Sequence, residues 1–210
     1  MSLKAVLFDS DGMLMIGGMF SQHLARDYQV HIEALNPFFK NEFKDCLIGK
    51  ADLKERIQKY LEPLGWQGSV DELLDYWFKS EHKMDERILG EIQRIRDEGI
   101  KCYLATNQEK YRTEYIRKVM GLEQIMDEIF SSAEMGYKKP QEEFFKMILD
   151  RLSPLRPDEI AYWDDSQENI EAARKLGIQA FHYKDFPEFE GQLHRLKERS
   201  GEGAEGRIVR

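Results

Sequence analysis

Residues 6–15 read VLFDSDGMLM: an apolar run stops at Asp9, and Asp11 follows one residue later, directly before Gly12. A run too short for a helix that ends in two acids and a glycine describes a buried strand emerging at a polar edge. Four more runs share the design: KCYLAT at 101–106, EIAYW at 159–163, QAFHY at 179–183 and, more weakly, EIFSS at 128–132. Most lack strict polar alternation, so both faces of the sheet are covered, as in parallel sheets. Between the runs lie helical patterns. Ile88, Leu89, Ile92 and Ile95 share one face before Gly99, while KYRTEYIRKVMG and QENIEAARKLG close on Gly121 and Gly177. This alternation of strand and helix predicts an α/β fold, a doubly wound Rossmann-like parallel sheet.

Residues 16–83 break that rhythm. Segments such as LKERIQKYLEPLG and SVDELLDYWFKSEH carry helical periodicity and no strand pattern. They predict an inserted all-helical cap over 16–83, with a core made of 1–15 and 84–200 and a flexible tail at 201–210, where the sequence is rich in glycine and charge. Gly17 and Gly18 at the start of the insert and SEHKMDE at its end are the expected hinges. Phe38, Phe39, Tyr76, Trp77 and Phe78 are expected to fill the insert's own core, and the Gly49–Lys50 loop is the expected specificity contact.

The chain is 41% hydrophobic and 33% charged, enough apolar content for a sizeable core and unlike a disordered chain. A formal charge of -8 with no basic tract argues against a nucleic-acid partner. No apolar segment reaches the roughly 18 residues of a membrane span, so no membrane is expected. Cys46 and Cys102 lie far apart without a metal-binding spacing, which fits a reducing cytoplasm. The five histidines show no ligand spacing, and a monomer or weak homodimer is expected.

In an open parallel sheet, ligands bind beyond the carboxyl ends of the strands. The residues placed there are Asp9 and Asp11, then Thr106 and Asn107, then Asp164 and Asp165, with Lys139 added from the loop GYKKPQ. Carboxylates, a hydroxyl and a cation suit magnesium-assisted phosphoryl transfer, because Mg2+ prefers oxygen ligands and shares its shell with a substrate phosphate. Asp9 is the expected nucleophile, since a carboxylate can attack phosphorus and split the hydrolysis into two easier steps. Asp11, beside the leaving group, is the expected acid, one carboxyl ionised and the other carrying the proton. Thr106 and Glu109 have capping-box spacing, which would aim helix N–H groups at a bound phosphate. Lys139 would neutralise phosphoryl oxygens. Taken singly, each feature has a plainer reading. DSDG can be an acidic turn, although Met13 excludes a calcium loop, and Asp165 with Glu168 can simply cap a helix.

In order along the chain, DSDG, ATN, KKP and DDSQENIEAARKLG resemble the four motifs of the haloacid dehalogenase-like superfamily of phosphohydrolases, in the branch with a helical cap after the first motif. The resemblance implies that Asp9 is nucleophile and metal ligand, and that Asp11 is acid and base with its backbone carbonyl on the metal. It also implies that Thr106 and Lys139 hold phosphate, and that Asp165 ligates Mg2+ directly with Asp164 behind it. Lys138 is the weaker candidate lysine, because the family's lysine directly precedes the proline. Met13 stands where members usually carry Thr or Val, and the acid at position 11 favours phosphatase over dehalogenase chemistry. The expected activity is Mg2+-dependent hydrolysis of a small phosphorylated metabolite, a sugar phosphate or nucleotide-like compound. The alternatives are a phosphoglucomutase-like phosphotransferase, a phosphonate-cleaving enzyme with a Schiff-base lysine, and a non-catalytic phosphate-binding regulatory protein.

Overall fold

In the computed structural model, which describes residues 2–205, five strands form one parallel sheet: β1 (Ala5–Phe8), β2 (Lys101–Thr106), β3 (Glu128–Ser131), β4 (Ile160–Asp164) and β5 (Gln179–His182). Their order is β3-β2-β1-β4-β5. β1 and β4 are buried along their whole length, which is why neither alternates in sequence. The pleat still divides the strands. Val6 and Phe8 face one cluster, with Leu104 and Trp163, while Ala5 and Leu7 face the other, with Phe130 and Tyr162.

Helices cover both faces. On the first lie α6 (Glu86–Asp97), through Ile88, Ile92 and Ile95, and α12 (Phe186–Glu205), through Phe189, Leu193 and Leu196. On the second lie α10 (Glu142–Arg151) and α11 (Gln167–Lys175), through Phe144, Phe145, Ile148 and Ile170. Each fully buried large side chain contributes about 1.5–3 kcal/mol by leaving water. Gly99, Gly121 and Gly177 take the left-handed conformation expected where helices stop. Three shorter helices, α7 (Lys110–Glu114), α8 (Leu122–Ile125) and α9 (Ser132–Met135), link β2, β3 and α10. α12 runs into the segment expected to be a tail, whose remainder, 206–210, lies outside the described residues.

The stretch between β1 and α6 holds no named strand. It forms α1 (Phe20–Asp27), α2 (Phe43–Leu47), α3 (Leu53–Ile57), α4 (Leu61–Leu64) and α5 (Val70–Ser80), joined by short turns of tighter and wider helix. Their apolar faces close on a third cluster of their own, which contains Phe38, Trp77 and Phe78, with Phe39 and Tyr76 packed against it. The chain leaves and returns side by side: Ile16 N donates to Lys83 O (2.8 Å), and Met15 pairs with Met84. Among the described residues no helix is long and apolar enough to cross a membrane.

Chain order reverses between β1 and β4, so the crevice at their carboxyl ends is the switch point of the sheet. The register pairs Phe8 with Trp163, and the next residues, Asp9 and Asp164, therefore stand level at that edge.

Candidate active site

Asp9 directly follows β1, and its N–H extends the ladder by donating to Trp163 O (3.0 Å). Its carboxylate is buried. Oδ1 accepts from Ser10 N (2.7 Å) and from Lys139 Nζ (2.6 Å). Lys139 is also buried, and its ammonium donates to Asp164 Oδ2 (2.7 Å) as well, so one positive charge serves two acids. Lys138, its neighbour, makes no such contact among the described residues, and its backbone N–H donates to Gln141 Oε1. The lysine loop is held by a reciprocal pair: Lys139 N donates to Asn107 Oδ1 (2.8 Å), and Asn107 Nδ2 donates to Lys139 O (3.0 Å).

Asp164 is fully buried and satisfied at both oxygens. Oδ1 accepts from Ser166 N (2.8 Å) and Asn169 Nδ2 (2.9 Å), and Oδ2 from Lys139, from Asn169 (3.0 Å) and from the Tyr162 hydroxyl. Asp165 presents its carboxylate to the crevice, pressed against Gly12, where a Cβ would collide with Oδ2. Gly12 has φ +80, so a side chain there would meet both strain and that clash. Asp11 accepts from Gln108 Nε2 at Oδ2 (2.6 Å).

The carboxylates of Asp9, Asp164 and Asp165 each offer an oxygen, all within 4.8 Å of one another. Among the described residues no histidine joins that group, nor does the carboxylate of Asp11. Burial raises the Asp9 pKa to about 7 from an ordinary 3.8, against the pull of Lys139 and with help from the Asp164 charge. Burial and Asp164 likewise raise Asp165, whereas Lys139 and the donors around it hold Asp164 below the usual carboxylate range despite its burial. Lys139 is held above the usual lysine value: burial opposes its charge, but the two acids outweigh it. The donor set is all oxygen with an uncompensated negative charge, which fits a hard divalent cation.

Several sequence-based expectations fail in detail. Thr106 does not cap a helix. It is the last residue of β2, and its hydroxyl lies 2.5 Å from Ser10 Oγ, off the cavity wall. The cap of α7 is Glu109, whose carboxylate accepts from Tyr111 N (2.8 Å) and Arg112 N (2.5 Å). The chain spends 107–109 on the turn that Asn107 anchors, so the helix starts late and its free N–H groups are taken by a carboxylate instead of left for phosphate. Asp165 and Glu168 form no capping box either: α11 begins after Ser166, and the residue bonded to the Ser166 N–H is Asp164. Among the acids, the one whose pKa burial raises to about 7 is Asp9, the expected nucleophile. Gly49–Lys50 does not line the cavity, and Gly49 abuts the Ala133 carbonyl instead.

Ser10, Gln108, Tyr162 and Asn169 were missed, although two carried a signal. Tyr162 stands two residues before Asp164 on one strand, hence on its face, and Asn169 sits one turn into α11. The crevice opens into a cavity of about 590 Å³ roofed by the helical insert through Phe43, Leu47, Trp77, Phe78 and Glu81. Arg112 also lines it, and neither Arg112 nor Glu81 was singled out from sequence, since each reads as an ordinary helix-surface charge.

The profile of the family described as haloacid dehalogenase-like hydrolase matches residues 6–182. The chain is 24% identical over 185 residues to a sesquiterpene phosphatase from Aspergillus oryzae, covering 88% of this chain and 91% of that protein. It is 23% identical over 190 residues to a phosphorylated carbohydrates phosphatase from Thermotoga maritima, covering 84% and 83%. A crystal structure of an enzyme from Bacteroides thetaiotaomicron, in complex with magnesium and inorganic phosphate, shares the fold with a TM-score of 0.70 at 20% identity, covering 87% of this chain and 95% of that one.

Proposed function

The chain belongs to the haloacid dehalogenase-like hydrolases, and from that premise we propose that it is a Mg2+-dependent phosphatase acting on a small phosphorylated metabolite. One observation carries the reading: Asp9 from β1 and the Asp164–Asp165 pair from β4 converge at the switch point with Lys139 between them. Relatives named as phosphatases and a similar fold crystallised with magnesium support it.

In this reading Asp9, Asp165 and the backbone carbonyl of Asp11 hold the metal, and Asp164 positions Lys139. Bound Mg2+ supplies charge neutralisation for the phosphoryl oxygens and lowers the proton affinity of Asp9. Lys139 and Ser10 N fix Asp9 Oδ1, which leaves Oδ2 to attack phosphorus in line with the departing oxygen. A phosphorus–oxygen bond to Asp9 forms as the ester bond breaks, and Asp11 gives its proton to the leaving alkoxide. Asp11, now ionised and held by Gln108, takes a proton from water, whose oxygen attacks the aspartyl phosphate and releases phosphate and free Asp9. Lys139 faces the phosphoryl group, with Asn107 holding the lysine loop in place and Thr106 supporting from behind through Ser10. The helical insert serves as a cap that excludes bulk water.

The test is para-nitrophenyl phosphate hydrolysis with and without Mg2+, for the wild type and Asp9→Asn. The expected outcome is metal-dependent turnover that falls by at least about a thousandfold in Asp9→Asn. Comparable turnover in that variant would overturn the nucleophile assignment.

A further inference from the structure

Arg112, on α7, is 3% exposed and lines the cavity between the acidic crevice and the insert. Its guanidinium is poorly provided for. Among the described residues Nη2 has only Met15 Sδ, at 3.9 Å, and the group lies 5.5 Å from the centre of the Phe78 ring. Nη1 sits 2.8 Å from Glu81 Oε2 without the alignment of a hydrogen bond, and Nε has no protein partner among the described residues. Glu81 is itself held elsewhere, Oε1 by Phe20 N (2.8 Å) and Oε2 by Trp77 Nε1 (3.1 Å). A buried donor left unpaired costs about 1–3 kcal/mol, so these N–H groups demand an acceptor.

The other polar side chains of the wall are turned toward protein partners. Asn107 holds the Lys139 backbone, Gln108 holds Asp11, Glu109 caps α7 and Asn169 holds Asp164. Lys139 is shared by two acids. Beyond the acidic crevice, what faces a leaving group is therefore Arg112, paired on one side with Glu81, set among Met15, Met19, Phe43, Leu47, Trp77 and Phe78. A polyol would set hydroxyls against those apolar side chains, which such a wall penalises.

Building on the phosphatase reading, we infer that the substrate is a phosphate ester whose leaving group has an apolar body and a second oxyanion, and that Arg112 receives that oxyanion. The planar guanidinium fork matches a carboxylate or a second phosphate with two parallel hydrogen bonds.

The experiment compares kcat/KM of the full chain with Mg2+ on phenyl phosphate, the ortho, meta and para carboxyphenyl phosphates, the phenylene bisphosphates and glycerol phosphate. At least one doubly anionic aryl ester is expected to exceed both phenyl and glycerol phosphate by about tenfold or more. Whether the carboxylate or the bisphosphate series leads identifies the oxyanion. Arg112→Gln should bring the ratio of that ester to phenyl phosphate close to one. Should Arg112→Gln fail to fold, Arg112→Lys, which keeps the charge and removes the fork, is expected to lose most of the ratio. Phenyl phosphate turned over with no preference for an anionic ester, glycerol phosphate preferred, or a ratio kept in the variants overturns this inference alone. No turnover of any ester overturns the phosphatase reading and this inference together.

Discussion

Lys139 offers one positive charge to Asp9 and Asp164, and with Asp165 added the group at the switch point stays negative. That imbalance has a consequence for stability. The folded pKa of Asp9, about 7, lies above its ordinary 3.8, because burial disfavours its charge. Between those values the folded protein keeps a proton that the unfolded chain has lost, so this contribution is present below the unfolded pKa and disappears as pH rises through about 7. In EDTA, urea titrations should show the wild type losing stability from about pH 5 to about pH 8, with Asp9→Asn losing less. At the upper limit the variant should be the more stable by on the order of 1–3 kcal/mol, and Mg2+ should stabilise the wild type alone. A variant less stable at every pH would mean that the Lys139 contact outweighs the burial. The sequence placed these acids through strand ends and motif order, but not their proton affinities, which depend on what burial removes and which donors remain.

Among the elements, the helices of the insert are short and rest on one shared core, with side-chain caps on α3 and α5. α5 shows both halves of a capping box: Glu72 N donates to Ser69 Oγ, and Ser69 N donates to Glu72 Oε2 (2.7 Å). Ser69→Ala should cost about 1 kcal/mol in urea denaturation with an unchanged slope, and should leave para-nitrophenyl phosphate turnover intact because Ser69 lies away from the cavity. A loss of turnover would mean that the insert's packing reaches the site through α5. Thr106 and Glu109 carry the same spacing and do not form the box. A strand end and a helix start compete there for the same residues, and the sheet ladder takes Thr106. Local spacing states which caps are available, and the neighbouring element selects among them.

For the whole molecule, the insert is tied to the sheet unit through Asp52, the cap of α3. Asp52 Oδ2 accepts from Lys110 Nζ (2.5 Å) and Tyr111 OH (2.8 Å) on α7. Burial pushes its pKa up, but the Lys110 and Tyr111 bonds and the capped N–H groups outweigh it and bring the value down to about 2. A depressed carboxylate stabilises above its unfolded pKa of 3.8 and loses that contribution as pH falls through about 2. Asp52→Asn should therefore be less stable than the wild type near neutral pH, and the difference should shrink in acid, read by thermal melting from about pH 7 to about pH 2.5. A gap that stays constant with pH would assign the loss to capping alone. From the sequence came the parallel sheet, the helical insert, the family resemblance and the four strand-end carboxylates Asp9, Asp11, Asp164 and Asp165, because strand burial, helical period and residues at strand ends are written in local pattern. The tertiary structure alone decided that Lys139 bridges Asp9 and Asp164, that Thr106 turns to Ser10, and that Arg112 faces the cavity with donors to spare. Those facts depend on contacts between residues tens of positions apart, and local periodicity carries no information about which distant partners meet.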